Sequence, residues 1–81
     1  MEKVVIDLSV IHRGQAKLNE LPAYVQKASD LAGNGKVVVL TGSAPIWMYL
    51  KIAHTLHGKV TQMFYSSPVT GEIEIFNHNP H

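Results

Sequence analysis

The segment Lys36 to Leu40 (KVVVL) has no polar face, and it runs straight into Thr41-Gly42-Ser43-Ala44-Pro45. A β-branched run that is apolar on both parities fits a central parallel strand covered on both sides. Parallel strands need crossover connections, usually helices, so this one segment points to an α/β domain. Pro45 agrees, because its missing N–H is not needed in a helix's first turn. The residues from there to about His57 supply the crossover helix, and Gly58 ends it.

The rest of the chain fits the same scheme. Lys3 to Ile11 reads as a largely buried strand, with Val4, Ile6, Leu8 and Val10 on one parity. His12-Arg13-Gly14-Gln15 breaks it, and residues 16–19 fit either a short return strand or a plain connection. Asn19 is a plausible N-cap, followed by Glu20 and Pro22. Leu21, Tyr24, Val25, Ala28, Leu31 and Ala32 form one helical stripe that Gly33-Asn34-Gly35 stops. Val60 to Tyr65 is a third core strand. A turn over Ser66 to Gly71 then leads into the alternating Glu72-Ile73-Glu74-Ile75-Phe76, as in a hairpin. The predicted architecture is one small Rossmann-like α/β domain over residues 1–81. Its sheet is mostly parallel, with helices on its faces and a C-terminal antiparallel hairpin.

Size and charge narrow the partners. Eighty-one residues, 46% hydrophobic and without cysteine, bury only about 60–65% of their unfolded surface. A second copy is the natural source of further burial, so a homodimer is expected. Seven Lys+Arg against six Asp+Glu give a net charge of +1, which offers no basic field for duplex DNA. A small anion remains open, because backbone N–H groups bind one without net charge. No apolar run reaches membrane-spanning length and no signal peptide precedes the first strand, so a soluble, cytoplasmic chain is expected.

In an open α/β sheet ligands gather beyond the carboxyl ends of the parallel strands. Two loops qualify, His12-Arg13-Gly14-Gln15 and Thr41-Gly42-Ser43-Ala44. The second lies at a helix N-terminus, where free N–H groups and the helix dipole favour a phosphate. One glycine before a helix is more often only a tight turn, and it matches neither a P-loop nor a dinucleotide fingerprint. The five histidines are the one compositional excess. His54 and His57 lie three apart and can share a helix face, which suits a metal or a proton relay. The same spacing also suits two cations complementing the helix dipole. His78 joins them only if the last strand passes the helix end, and His81 is terminal. Trp47 reads as a core residue, Asp7 as a paired structural group, and Glu72 with Glu74 as a solvated hairpin face.

Taken together, Gly42-Ser43-Ala44-Pro45-Ile46-Trp47, Ala53-His54-Thr55-Leu56-His57, Phe64-Tyr65 and a hairpin ending at His78 resemble a small CRISPR-associated family. This is the Csx-three family, also called CRISPR ring nuclease three. The resemblance implies a divergent member of the CRISPR-associated Rossmann-fold superfamily that acts as a homodimer in antiviral defence. It implies binding of short single-stranded RNA and degradation of cyclic tetra-adenylate, the second messenger of type III CRISPR defence, in a manganese-dependent reaction. The ligand would lie between dimers stacked head to tail, one binding and the other supplying catalytic groups. By position, His57 and His78 are the candidates for metal and catalysis, with His54 beside them. Gly42, Ser43 and Ala44 match the ligand-binding turn.

The chain also departs from that family. Ser66 and Ser67 stand where the family carries an aspartate and an arginine after the tyrosine, and Ser43 replaces an arginine in the glycine turn. Arg13, from the neighbouring loop, is the candidate replacement cation, and Ser66 and Ser67 count with the ligand-binding residues. A carboxylate and a cation missing from their expected places weigh on cleavage more than on binding. The expected function is therefore a ring nuclease (a phosphodiesterase), with a non-catalytic module that binds or sequesters the cyclic oligonucleotide as the alternative. A structural subunit with no small ligand ranks third.

Overall fold

The computed structural model describes residues 2–78, so His81 lies outside the described residues. Along the chain run β1 (Lys3–Asp7), α1 (Leu8–His12), a 3-10 turn (Leu18–Glu20), α2 (Leu21–Ala32), β2 (Val37–Thr41), α3 (Ile46–Leu56), β3 (Gln62–Ser67) and β4 (Gly71–Asn77). The strands form one sheet in the order β1-β2-β3-β4. β1, β2 and β3 are parallel, and β4 is antiparallel to β3. The mostly parallel α/β sheet and the C-terminal hairpin are both present.

Because the strand order never reverses, right-handed crossovers carry α2 and α3 to the same face. Tyr24, Ala28 and Ala32 of α2 and Met48, Ile52 and Leu56 of α3 pack with Ile6, Val38, Leu40 and Met63 into one cluster. The cover expected on both sides of β2 is therefore helical on one side only. On the other side Val39 is still only 2% exposed, flanked in register by Val5 and Phe64. A Lys3–Glu72 ion pair of 3.2 Å links the first strand to the last. Without a reversal the sheet also has no switch-point crevice. Any ligand site has to come from the loops themselves.

The first strand stops at Asp7 rather than Ile11, for two reasons. Its register with β2 ends at Asp7↔Thr41. The Asp7 carboxylate then caps a helical turn, accepting from Ser9 N–H at 2.9 Å and from Ser9 Oγ at 2.6 Å. Leu8 and Ile11, three apart, both reach the core from α1. Residues 16–19 are a connection that ends in the 3-10 turn. Glu20 rather than Asn19 precedes α2, whose first turn holds Pro22 as expected. Leu31, assigned to the buried stripe, is 50% exposed.

Ser66 and Ser67 extend β3, opposite Glu72 and Gly71, instead of opening the turn. Ladder partners decide this, and two serines carry no apolar sign of it. The register shifts between Met63 and Phe64, so Ile75 is an extra residue between Glu74 and Phe76. The shift returns Phe76 to the helix side, where it packs against the core. Among the described residues no helix is long and apolar enough to cross a membrane.

Candidate functional site

Candidate residues collect at two opposite ends of the sheet. At the carboxyl end, β2 leaves through Gly42 (φ +99°) into Ser43, Ala44 and Pro45, and α3 begins without a side-chain cap. Side chains hold the carbonyls of this turn. Tyr49 Oη donates to Gly42 O at 2.5 Å and His12 Nε2 donates to Ser43 O at 2.8 Å, while Thr41 Oγ1, just before the turn, donates to Ser66 O of β3 at 3.1 Å. A trans peptide points its N–H opposite its C=O, so tying back the carbonyls of Gly42 and Ser43 fixes the N–H groups of Ser43 and Ala44. Neither N–H has a hydrogen-bond partner among the described residues. With the first free N–H groups of α3, they are the unpaired donors that a cradle for an anion would use.

The turn opens on a cleft of ≈ 500 Å³ lined by Thr41, Gly42, Ser43, Ala44, Tyr49, Tyr65 and Ser66 to Pro68. Tyr49 and Tyr65 meet edge to face with centroids 5.2 Å apart. Burial first, then the nearby Tyr65 and Asp7, raise the Tyr49 hydroxyl to about pKa 12, so it is a donor at neutral pH. Asp7 lies beside the turn, its carboxyl held below the ordinary value chiefly by the Ser9 hydrogen bonds. Arg13 follows His12 in the left-handed region (φ +52°) and is exposed.

At the other end α3 has run back along the sheet, so its last turn lies near the start of β3. His57 follows α3 and His78 follows β4, and His78 N–H is tied to Thr61 O at 2.7 Å. Their Nε2 atoms approach to 2.9 Å. Two ring nitrogens at that distance share one proton, with one ring the donor and the other the acceptor. The His57 ring packs edge-on against Phe76 and the His78 ring lies tilted against it, each with centroids 4.9 Å apart. The pair borders a hollow of ≈ 330 Å³ with Gly58, Lys59, Val60 and Thr61. Both rings are exposed. A solvent-accessible pair holding one proton between them can accept a proton from one oxygen and return it to another.

Residues 11–81 match the family described as CRISPR-associated protein (Cas_csx3). The chain belongs to this family. No curated protein and no solved structure matches it.

Within this Cas_csx3 chain the structure brings some of the candidates together and leaves others apart. His57 and His78 meet ring to ring, whereas the exposed His54 ring has no side-chain hydrogen bond or ring contact to them among the described residues; only the backbone links it, His57 N–H donating to His54 O at 3.3 Å. Gly42, Ser43, Ala44, Ser66 and Ser67 share one cleft, and Arg13 is not in its lining. Three contributors lie outside the sequence-based candidates: Tyr49, Tyr65 and, within a loop that was singled out, His12. Tyr49 and Tyr65 read as core residues, because nothing in a helical or strand pattern marks the Tyr49 hydroxyl that reaches Gly42 O or the Tyr65 ring that meets Tyr49. Asp7 is a paired structural group, as its place in the sequence suggested, but it is exposed at the end of β1 as the cap of α1 rather than buried.

Proposed function

We propose that this Cas_csx3 protein binds cyclic tetra-adenylate and opens it as a ring nuclease, with the binding turn and the histidine pair contributed by different copies. One observation carries the reading: the anion cradle and the paired imidazoles sit at opposite ends of α3. Eleven helical residues span about 16 Å, too far for one copy to put both on the same phosphodiester. Copies stacked head to tail bring the cradle of one against the His57–His78 pair of the next. Cytoplasmic localisation and short single-stranded RNA as a further ligand belong to the same reading.

The chemistry needs little more from the chain. A ribose 2′-OH attacks the adjacent phosphorus, an O2′–P bond forms, and the P–O5′ bond breaks. One histidine of the pair takes the 2′ proton and the other supplies a proton to O5′. N–H groups at the cradle hold the phosphate, and the tyrosine rings offer faces to adenine. His57 and His78 are the residues that would hold manganese. However, no group of three His, Cys, Asp or Glu able to hold an ion is found among the described residues. Two imidazoles without a carboxylate fall short of the oxygen-rich shell manganese selects.

Side-by-side pairing of two copies is part of the proposal. Ile46 (77% exposed), Leu50 (67%) and Ile75 (49%) line an apolar groove of ≈ 310 Å³ between α3 and the hairpin, with no charged residue in its lining, and Ile73 (43%) stands opposite Tyr65 of that lining. These four side chains expose roughly 400 Å², about half of what one partner of a standard interface buries. The outer edge of β4 adjoins them and supplies more. The other face of the sheet is less suited, because the Lys3–Glu72 and Gln62–Glu74 pairs lie over it.

A second reading, a module that binds or sequesters the cyclic ligand without cutting it, is favoured by Ser66 and Ser67 standing at the cleft without a carboxylate or a cation. Labelled cyclic tetra-adenylate, incubated with and without manganese, separates the two. Conversion to linear product that is lost in His57→Ala/His78→Ala supports the nuclease. Binding without conversion selects the sequestering module, and no binding removes both.

A further inference from the structure

We propose that His12 and Asp7, both at α1, are positioning residues that set the Gly42-Ser43-Ala44 turn for its ligand. The proposal rests on the reading of that turn as the binding end. His12 Nε2 donates to Ser43 O at 2.8 Å, and a carbonyl only accepts, so Nε2 carries the ring proton. The Ala44 N–H occupies the opposite side of the same peptide plane and therefore points away from α1. On that side lies the cleft bounded by Tyr65, Ser66 and Ser67. Rotating this peptide would lose the His12 bond and turn a carbonyl oxygen toward the anion.

The ring serves this one contact. His12 Nδ1 is buried and has no hydrogen-bond partner among the described residues, a position that costs free energy and normally calls for an explanation. Anchoring Ser43 supplies it. α1 itself cannot drift, because Leu8 and Ile11 are fixed in the core on either side of one helical turn.

Asp7 sets the other half of the turn from below. A Cβ built on Gly42 would collide with Asp7 Oδ1 and come within 3.1 Å of Leu8 N. The carboxylate that caps α1 thus lies against the bare Cα of the binding turn. Asp7 precedes the segment that matches the family, so its role follows from this chain's own contacts.

The test compares His12→Phe, which keeps the ring's bulk without a donor, with His12→Gln, whose side-chain amide reaches about as far as Nε2. Affinity for cyclic tetra-adenylate is measured with the thermal midpoint, the rate of conversion at saturation, and the ¹H–¹⁵N resonances of Ser43 and Ala44. His12→Phe should weaken binding about ten-fold, the scale of one orienting hydrogen bond to a charged ligand. It should shift both amides and leave conversion at saturation within about two-fold. His12→Gln should recover affinity to within about three-fold. Wild-type affinity in His12→Phe, or a glutamine variant as weak as the phenylalanine one, overturns the proposal. Failure of the wild type to bind the cyclic ligand would sink the proposed function instead. The positioning role is then still decided by ¹⁵N spectra of the His12 ring and by the amides. An Nε2–H ring with a shifted Ala44 amide in His12→Phe supports it, and an Nδ1–H ring or an unmoved amide overturns it.

Discussion

Gly42→Ala is the most informative single perturbation of the turn. Gly42 has φ +99°, a region that costs an L-residue about 2 kcal/mol. For a domain of this size that is a fall in thermal midpoint of about 10 °C. The new methyl also meets Asp7 Oδ1, and the nearby Leu8 N is backbone that cannot swing aside. The side chain has to leave its capping position, so the loss should exceed the backbone strain alone. Repeating the substitution in an Asp7→Ala background removes the carboxylate collision and leaves the strain and the tight Leu8 N contact, so the fall there should be smaller. Gly58→Ala is the control. Its Cβ would meet open space and its φ is not positive, so it should be neutral or stabilising by about 0.5 kcal/mol. Equal falls in both backgrounds, or a Gly42→Ala protein that melts with the wild type, would refute the account of the interlocked turn.

Other outcomes follow from the same contacts. Tyr49→Phe leaves Gly42 O without its donor and should cost about 1 kcal/mol in chemical denaturation. Because burial raises Tyr49 to about 12 from an ordinary 10.0, its contribution is fully present below pH 10. It is lost as pH rises through 12. The tyrosinate absorbance difference between wild type and Tyr49→Phe should therefore rise near pH 12 and not near pH 10. Leu50→Glu puts a charge into the apolar groove and should convert the proposed dimer to monomers in sedimentation, with little change in folding because Leu50 is 67% exposed. An unchanged dimer would move the interface elsewhere.

Much of the fold was legible because period and punctuation agreed. The KVVVL run marked the centre of a parallel sheet, and β2 lies there within one residue of the expected span. Lys3 to Ile11 misled because alternating apolar residues also permit one helical turn, and only the length of β2 decides where pairing ends. Ser66 and Ser67 misled in the opposite direction, since small polar residues mark turns unless a facing strand claims them. At the site, the Gly42 turn and the meeting of His57 with His78 could be anticipated from the family resemblance. The hydroxyl of Tyr49 and the ring of His12 could not. Each contacts a backbone carbonyl, and carbonyl positions are set by the fold rather than by residue type.

The central claim is that one copy binds while its neighbour in the stack cuts, and complementation tests it most directly. One variant carries an impaired turn (His12→Phe/Tyr49→Phe) with intact histidines. The other carries His57→Ala/His78→Ala with an intact turn. At cyclic tetra-adenylate well below saturation, where weakened binding limits the rate, each alone should convert it poorly. Mixed one to one, they should recover about a quarter of wild-type activity, because one junction in four pairs an intact turn with intact histidines. A mixture no more active than its components would contradict the account, since both ends would then have to come from a single copy.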